Sequence, residues 1–197
     1  MSEMSALELV VYQRDGTRVA ELRRGEALVV GRAAPSDVVV PDPALSRQHA
    51  RFTWTADGLV VEDMGSTNGT KVRGERVTRE KIAPGELVEL GPAVVCLHAR
   101  LPGQAARKEI ISNDRLMMLL DQELARARTF QRPLALAIIQ ARGRDRVHVS
   151  RWEWRAQALL RPVDLVCLYG PGALLVLFPE LSEAEVAERM KPLEGGD

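Results

Sequence analysis

Neither sign of charge is in surplus in this 197-residue chain: 27 lysines and arginines stand against 27 aspartates and glutamates, for a net charge of zero. That balance excludes a global field drawing the chain onto nucleic acid, and no basic tract reverses it. An anion bound here has to be recognised locally. Cysteine is scarce as well. Cys96 and Cys167 lie far apart in apolar runs and read as buried thiols of a reducing compartment, which excludes a disulfide scaffold. His98 and His148 have no acidic or cysteine neighbours at ligand spacing, so neither a metal nor any other cofactor is expected. No apolar run approaches the ~18 residues of a membrane span. Residues Met1 to Ala6 have neither the positive start nor the apolar core of a signal peptide. Repeats and low-complexity segments are missing too. The expectation is a cytoplasmic globular protein with no nucleic-acid and no membrane partner.

What is present changes character along the chain. Up to about Arg100, short β-prone runs alternate with turn residues. Leu7–Tyr12 leads through Arg14-Asp15-Gly16 into Thr17–Leu22, a hairpin pattern. Strands are expected at Ala27–Gly31, Val38–Val40, His49–Thr55 and Leu59–Glu62, with Asp57-Gly58 turning between the last two. Further segments fall at Lys71–Arg73, Arg76–Thr78, Leu87–Leu90 and Ala93–His98. Many short strands with closely spaced turns indicate an all-β sandwich or barrel over residues 1–100. Breakers and small residues mark 101–112 as a linker.

From about residue 113 the period becomes helical. Leu116, Leu119, Leu120, Leu124 and Ala127 line one face. Leu134–Ile139 then reads as a strand covered on both faces, and 148–160 as a second helix. Asp164–Tyr169 and Ala173–Phe178 are apolar runs joined by Gly170-Pro171-Gly172. Ser182 and Glu185 form a capping box for a last helix, with Leu181 stapled onto Val186. Residues 113–197 are therefore expected to be a small α/β domain. Trp152 and Trp154, two apart, cannot share a helical face, so one is expected inside and the other exposed.

Three separated clusters carry the chemistry of the first half: Gly31-Arg32, Leu45-Ser46-Arg47-Gln48-His49-Ala50, and Asp63-Met64-Gly65-Ser66-Thr67-Asn68-Gly69-Thr70. Together, in this order and between expected strands, they resemble the forkhead-associated family over about residues 6–100. The resemblance implies a sandwich whose loops bind a phosphothreonine segment of a partner protein. A phosphothreonine brings about −1.5 to −2 charges and several strong acceptor oxygens, so a neutral sandwich needs donors converging at one end. By resemblance, Arg32 offers a planar fork of charge-assisted hydrogen bonds. Ser46 gives its hydroxyl and its backbone N–H, and Arg47 adds positive charge. Asn68 grips the ligand's main chain with donor and acceptor, with Thr67 in the same loop. His49 is implied to prop up the loops, and Gly31, Gly65 and Gly69 to shape the backbone. The family's preference for phosphothreonine implies a recess for one methyl, worth roughly 0.8 kcal/mol.

The second half resembles a diguanylate cyclase (GGDEF) domain. The resemblance is carried by Arg115-Leu116, Gln122–Arg128, Arg132-Pro133-Leu134-Ala135-Leu136 and Leu160–Gly170. The acidic residues such an enzyme needs to hold metals and a nucleotide triphosphate are missing, however. Gly170-Pro171-Gly172-Ala173-Leu174 stands at the signature turn, and Gln140-Ala141 at the end of the first strand. A degenerate, non-enzymatic unit is expected, used for protein contacts or self-association into a homo-oligomer. Arg161 and Asp164 match the spacing of that family's product-binding inhibitory site, so a cyclic di-GMP receptor is an alternative reading. The plainer one is a helix end followed by a strand. The combined expectation is a signalling adaptor whose partner is a threonine-phosphorylated Ser/Thr kinase or one of its substrates. A phosphate-independent scaffold is the remaining alternative.

Overall fold

A computed structural model describes residues 6–14, 16–99, 110–141, 147–169 and 172–194. The chain divides into two compact units, one built almost entirely from residues before Ala106 and the other from residues after it. Most of the expected linker lies outside the described residues, as do Gly170, Pro171 and the arginines at 142, 144 and 146.

The first unit comprises β1 (Ala6–Gln13), β2 (Gly16–Arg23), β3 (Ala27–Gly31), β4 (Val38–Val39), β5 (Ala50–Thr55) and β6 (Gly58–Asp63). It continues with β7 (Thr70–Val72), β8 (Glu75–Val77), β9 (Arg79–Ile82), β10 (Leu87–Leu90) and β11 (Ala93–Ala99). Two sheets result, ordered β2-β1-β11-β10-β7-β8 and β4-β3-β5-β6-β9. One continuous apolar cluster draws on both: Leu7, Leu9, Val88, Leu90, Val95 and Leu97 from the first, and Val30, Phe52, Trp54, Leu59 and Val61 from the second. The unit is thus the expected β-sandwich. Period-two alternation explains how it closes. In β5, Ala50, Phe52 and Trp54 point inward and face Val61 and Leu59 of β6 in antiparallel register. Gly58, at φ +122°, makes the tight turn between them. Thr55 Oγ1 closes that turn by accepting from Asp57 N–H at 3.2 Å and donating to the Gly58 carbonyl at 3.1 Å. β9 lies where the sequence pattern indicated no strand, between the segments Arg76–Thr78 and Leu87–Leu90.

The second unit packs α1 (Asn113–Phe130) on a three-stranded antiparallel sheet of β12 (Leu134–Gln140), β13 (Leu165–Leu168) and β14 (Ala173–Pro179), ordered β12-β14-β13. Ser112 caps α1 by accepting from Arg115 N–H. Leu116 of α1 is buried with Cys167, Leu175 and Leu177, and Leu119 and Leu120 pack on the same cluster. Burial pushes the Cys167 thiol up to about 11, and neither Cys167 nor Cys96 is in a disulfide. α3 (Glu183–Met190) begins in the expected capping box of Ser182 and Glu185, with Leu181 and Val186 both buried.

Two expectations need correcting here. Leu134–Ile139 is not covered on both faces: β12 lies at the sheet edge, and Leu136 and Ile138 are 50% and 51% exposed. The strand buried at every position is β14, because it sits between two neighbours. Residues 148–160 are not one helix but a 3₁₀ turn, Val149–Arg151, followed by the short α2 (Glu153–Gln157). Trp154 is exposed and Trp152 half-buried. Among the described residues no helix is long and apolar enough to cross a membrane.

Candidate functional site

Three loops of the sandwich, between β3 and β4, β4 and β5, and β6 and β7, are tied together by hydrogen bonds that begin at the core strands. The Arg32 N–H donates to the Ser46 carbonyl at 2.9 Å, and the Ser36 hydroxyl donates to the Arg47 carbonyl at 2.7 Å. The His49 N–H reaches back to the Val30 carbonyl at 2.9 Å, and the Met64 N–H to the His49 carbonyl at 2.9 Å. Gly31 makes the closeness affordable: a Cβ there would overlap the Arg47 carbonyl oxygen and stand 2.5 Å from Ser36 Oγ.

His49 is fully buried beneath this junction. Its Nδ1 accepts the Ser46 N–H at 3.2 Å, and its Nε2 lies 3.2 Å from the Gly69 carbonyl. Since Nδ1 is the acceptor, Nε2 carries the proton and donates, which fixes the neutral tautomer. The Ser46 backbone N–H is thereby engaged, leaving the hydroxyl as the group Ser46 can turn outward.

The facing loop has its own anchor in Asp63. One carboxylate oxygen accepts from Gly65 N–H at 3.1 Å and Ser66 N–H at 3.0 Å. The other accepts from the hydroxyls of Ser66 at 2.5 Å and Thr70 at 2.8 Å. Burial pushes this carboxyl up, but the hydrogen bonds from Ser66 and Thr70 outweigh it and hold it below its ordinary value. No role was read for Asp63 from the sequence, although an Asp two residues before a Gly at φ +73° carries an Asx-turn signal.

These anchors bring the outward-facing candidates together. Ser46 Oγ accepts from Thr67 N–H at 3.0 Å and stands 3.5 Å from Thr67 Oγ1, so two hydroxyls from opposite loops lie side by side. Asn68 Nδ2 donates to the Ala44 carbonyl at 2.7 Å, which leaves its Oδ1 and second amide hydrogen open. Arg32 and Arg47 are exposed, and neither guanidinium has a hydrogen-bond or ion-pair partner among the described residues. The arrangement offers two cations, two hydroxyls and one carboxamide to a ligand, and no carboxylate with an open acceptor was found among them. That donor set suits a phosphate dianion attached to a peptide main chain.

Residues 28–91 match the family model described as the FHA domain. The chain carries an FHA domain. Arg32, Ser46, Arg47, His49, Thr67 and Asn68 all fall within the matched residues. The domain is similar to part of an ABC transporter ATP-binding/permease protein (Rv1747) of Mycobacterium tuberculosis, 36% identical over 86 residues, covering 44% of this chain and 10% of that protein. It is also similar to the oxoglutarate dehydrogenase inhibitor of Corynebacterium jeikeium, 34% identical over 91 residues, covering 46% of this chain and 62% of that protein. The chain therefore spans from a tenth to about three fifths of the length of these relatives. The FHA domain of the Chlamydia trachomatis protein CT664 aligns with 49% of this chain and 100% of its own, at 28% identity and a TM-score of 0.47.

Arg161 and Asp164 belong to the second unit, outside the FHA domain. Asp164 is fully buried and accepts from Arg161 Nε at 3.1 Å, Nη2 at 2.8 Å and backbone N–H at 2.6 Å. Arg161 Nη2 also donates to the Pro179 carbonyl at 2.5 Å. The pair clasps the start of β13 to the end of β14. No group of three or more metal-binding side chains was found among the described residues.

Proposed function

We propose that the FHA domain binds a phosphothreonine-containing segment of a partner protein and that the chain acts as a signalling adaptor, not an enzyme. Forkhead-associated domains are among the modules that read phosphorylated motifs. The observation that carries the reading here is the pair of hydroxyls, Ser46 Oγ and Thr67 Oγ1, held 3.5 Å apart between loops that also carry Arg32 and Arg47, whose guanidinium groups have no partner among the described residues. Arg32 takes the phosphate through its fork, the hydroxyls of Ser46 and Thr67 donate to its oxygens, Arg47 adds charge, and Asn68 holds the main chain beside it. Gly31, His49, Gly65 and Gly69 keep these loops in place. A Ser/Thr kinase or one of its substrates supplies the ligand.

Titration of the full chain with a degenerate phosphothreonine peptide pool and its unphosphorylated counterpart tests this. Binding should require the phosphate and fall at least tenfold in Arg32→Ala and Ser46→Ala, each removing about 1.5–3 kcal/mol of charged hydrogen bonding. Equal affinity for both pools, or unchanged affinity in both variants, overturns it.

The second unit is read as a degenerate cyclase-like module that makes protein contacts or self-associates. The open edge of β12, with Leu136 and Ile138 half-exposed, supports the self-association part of this reading. Sedimentation of the full chain against concentration tests self-association. For the cyclic di-GMP alternative, Arg161 would have to leave Asp164 and Pro179, and titration with that dinucleotide decides it.

A further inference from the structure

The described residues form three sheets with six edges, and five of these edges are guarded. β4 is two residues long. β2, β8 and β9 carry charges along their length: Arg18 and Glu21 in the first, Glu75 and Arg76 in the second, Arg79 and Lys81 in the third. β13 is covered by Ile111, which bridges to Cys167 in parallel and donates its N–H to the Val166 carbonyl at 2.9 Å. Shortness, charge and cover are the devices by which a sheet edge avoids another strand. β12 has none of them. Leu134–Gln140 is seven residues long, without charge, proline or glycine, and no described residue pairs with its outer side.

What this edge exposes is apolar. Leu136 and Ile138 stand opposite Leu177 and Leu175 in the β14 ladder, so they share the face on which α1 packs. Leu175 and Leu177 are buried there, whereas Leu136 and Ile138 stay half-exposed. The strand is also matched to itself. Opposite residues of an antiparallel pair share a face, so two identical strands can be related by a two-fold axis only where a residue meets its own equivalent. Centring that axis on Ala137 aligns all seven residues. Leu136 then meets Ile138 of the second copy on the α1 face, Ala135 meets Ile139, and no charge opposes another. A parallel pairing would instead set the arginines that follow the strand in sequence, Arg142 and Arg144, against their own equivalents.

We propose that two copies of the chain join through β12, antiparallel about Ala137, into one continuous six-stranded sheet. The inference rests on the self-association reading of the second unit and names the seam. Strand order across the assembly is β13-β14-β12-β12-β14-β13. The two-fold axis stands perpendicular to the sheet, so the α1 helices of both copies lie on the same face. On that face Leu136 and Ile138 of each copy cover those of the other, and the outer N–H and C=O groups of β12 gain partners. A seam of seven residues is ~23 Å long at ~3.3 Å per residue. By itself it falls short of the ~1,200 Å² of a permanent interface, so the pairing is reversible. Each assembly carries two FHA domains.

Sedimentation of the full chain across a range of concentrations, with Leu136→Lys and Ile138→Lys beside it, reads the seam. The parent should form a dimer. Each variant should weaken it at least tenfold, because a charge then faces an apolar side chain of the second copy. A cysteine at position 137 reads the register. Opposite residues of an antiparallel pair stand ~4.5–5.5 Å apart, within the span of a disulfide, so Ala137→Cys should cross-link two copies under mild oxidation. Ala135→Cys should not, since its equivalent lies four residues, or ~13 Å, along the strand. The native Cys96 and Cys167 are both buried and stay out of this reaction. A chain that remains monomeric at every concentration overturns the self-association reading, and this inference with it. A dimer left unweakened by either lysine, or one in which Ala137→Cys cross-links no better than Ala135→Cys, leaves self-association standing and overturns the β12 seam.

Discussion

The ring of His49 joins Ser46 to Gly69, which lies twenty residues beyond the histidine, through Nε2 at 3.2 Å from the Gly69 carbonyl and Nδ1 at 3.2 Å from the Ser46 amide. The Gly69 contact is buried and the Ser46 contact partly so, and losing them leaves a carbonyl and an amide without their partners at the loop junction. His49→Ala should cost about 2–4 kcal/mol, read from the urea midpoint. Phosphopeptide affinity should fall as well, although the ring never meets the ligand. A folded His49→Ala protein with undiminished affinity would show that the loops hold their shape unaided.

Asp63 makes the site sensitive to acid. Its folded-state pKa lies below its unfolded value, so the folded protein binds fewer protons. The stabilisation is complete above the unfolded pKa and disappears as pH falls through the folded one. Asp63→Asn should lose about 1–3 kcal/mol at neutral pH, because an amide group replaces an acceptor facing two N–H groups and two hydroxyls. Its stability should also fall less steeply than that of the parent between pH 5 and pH 2.5. Denaturation at these pH values measures both effects, and parallel curves would contradict the assignment.

Two glycines should respond differently to the same added methyl. Gly31→Ala drives Cβ into the Arg47 carbonyl and Ser36 Oγ, for an overpacking penalty of about 1–3 kcal/mol, and displaces Arg32 and Arg47 together. Gly65→Ala meets nothing within 4 Å but keeps a φ of +73°, so only backbone strain of about 1–2 kcal/mol is expected. Denaturation midpoints, with phosphopeptide affinity measured alongside, separate the two. Affinity should suffer more in Gly31→Ala.

In the second unit, position in the sheet outweighs hydrophobicity. Phe178 in β14 is fully buried and Ile138 in β12 is half-exposed. Phe178→Ala should lose about 3–5 kcal/mol. Ile138→Lys should stay within about 0.5 kcal/mol for an isolated chain. If the loss in Ile138→Lys grows with protein concentration, that face is covered by another copy in solution.

The contrast between β12 and β14 also shows where sequence stops informing structure. Leu134–Ile139 and Ala173–Phe178 are both nearly unbroken apolar runs, and nothing local says which has neighbours on both sides. The strands of the sandwich were easier to place, because Arg14-Asp15-Gly16 and Asp57-Gly58 punctuate them. β9 escaped because Thr78 precedes it without a glycine or proline to mark the break. At the site, Arg32, Ser46 and Asn68 were legible as a set. The engagement of the Ser46 amide by His49 was not, since it depends on how two loops stack.

The hydrogen bonds that tether the three loops run through backbone groups and through the side chains of Ser36, Ser46, His49, Asp63 and Asn68. The guanidinium groups of Arg32 and Arg47 take part in none of them. Exchanging those arginines should therefore leave the melting temperature nearly unchanged while altering which segment is held. At the arginines scaffold and selectivity are separable variables, and new binding preferences can be reached there along a path of fully folded intermediates.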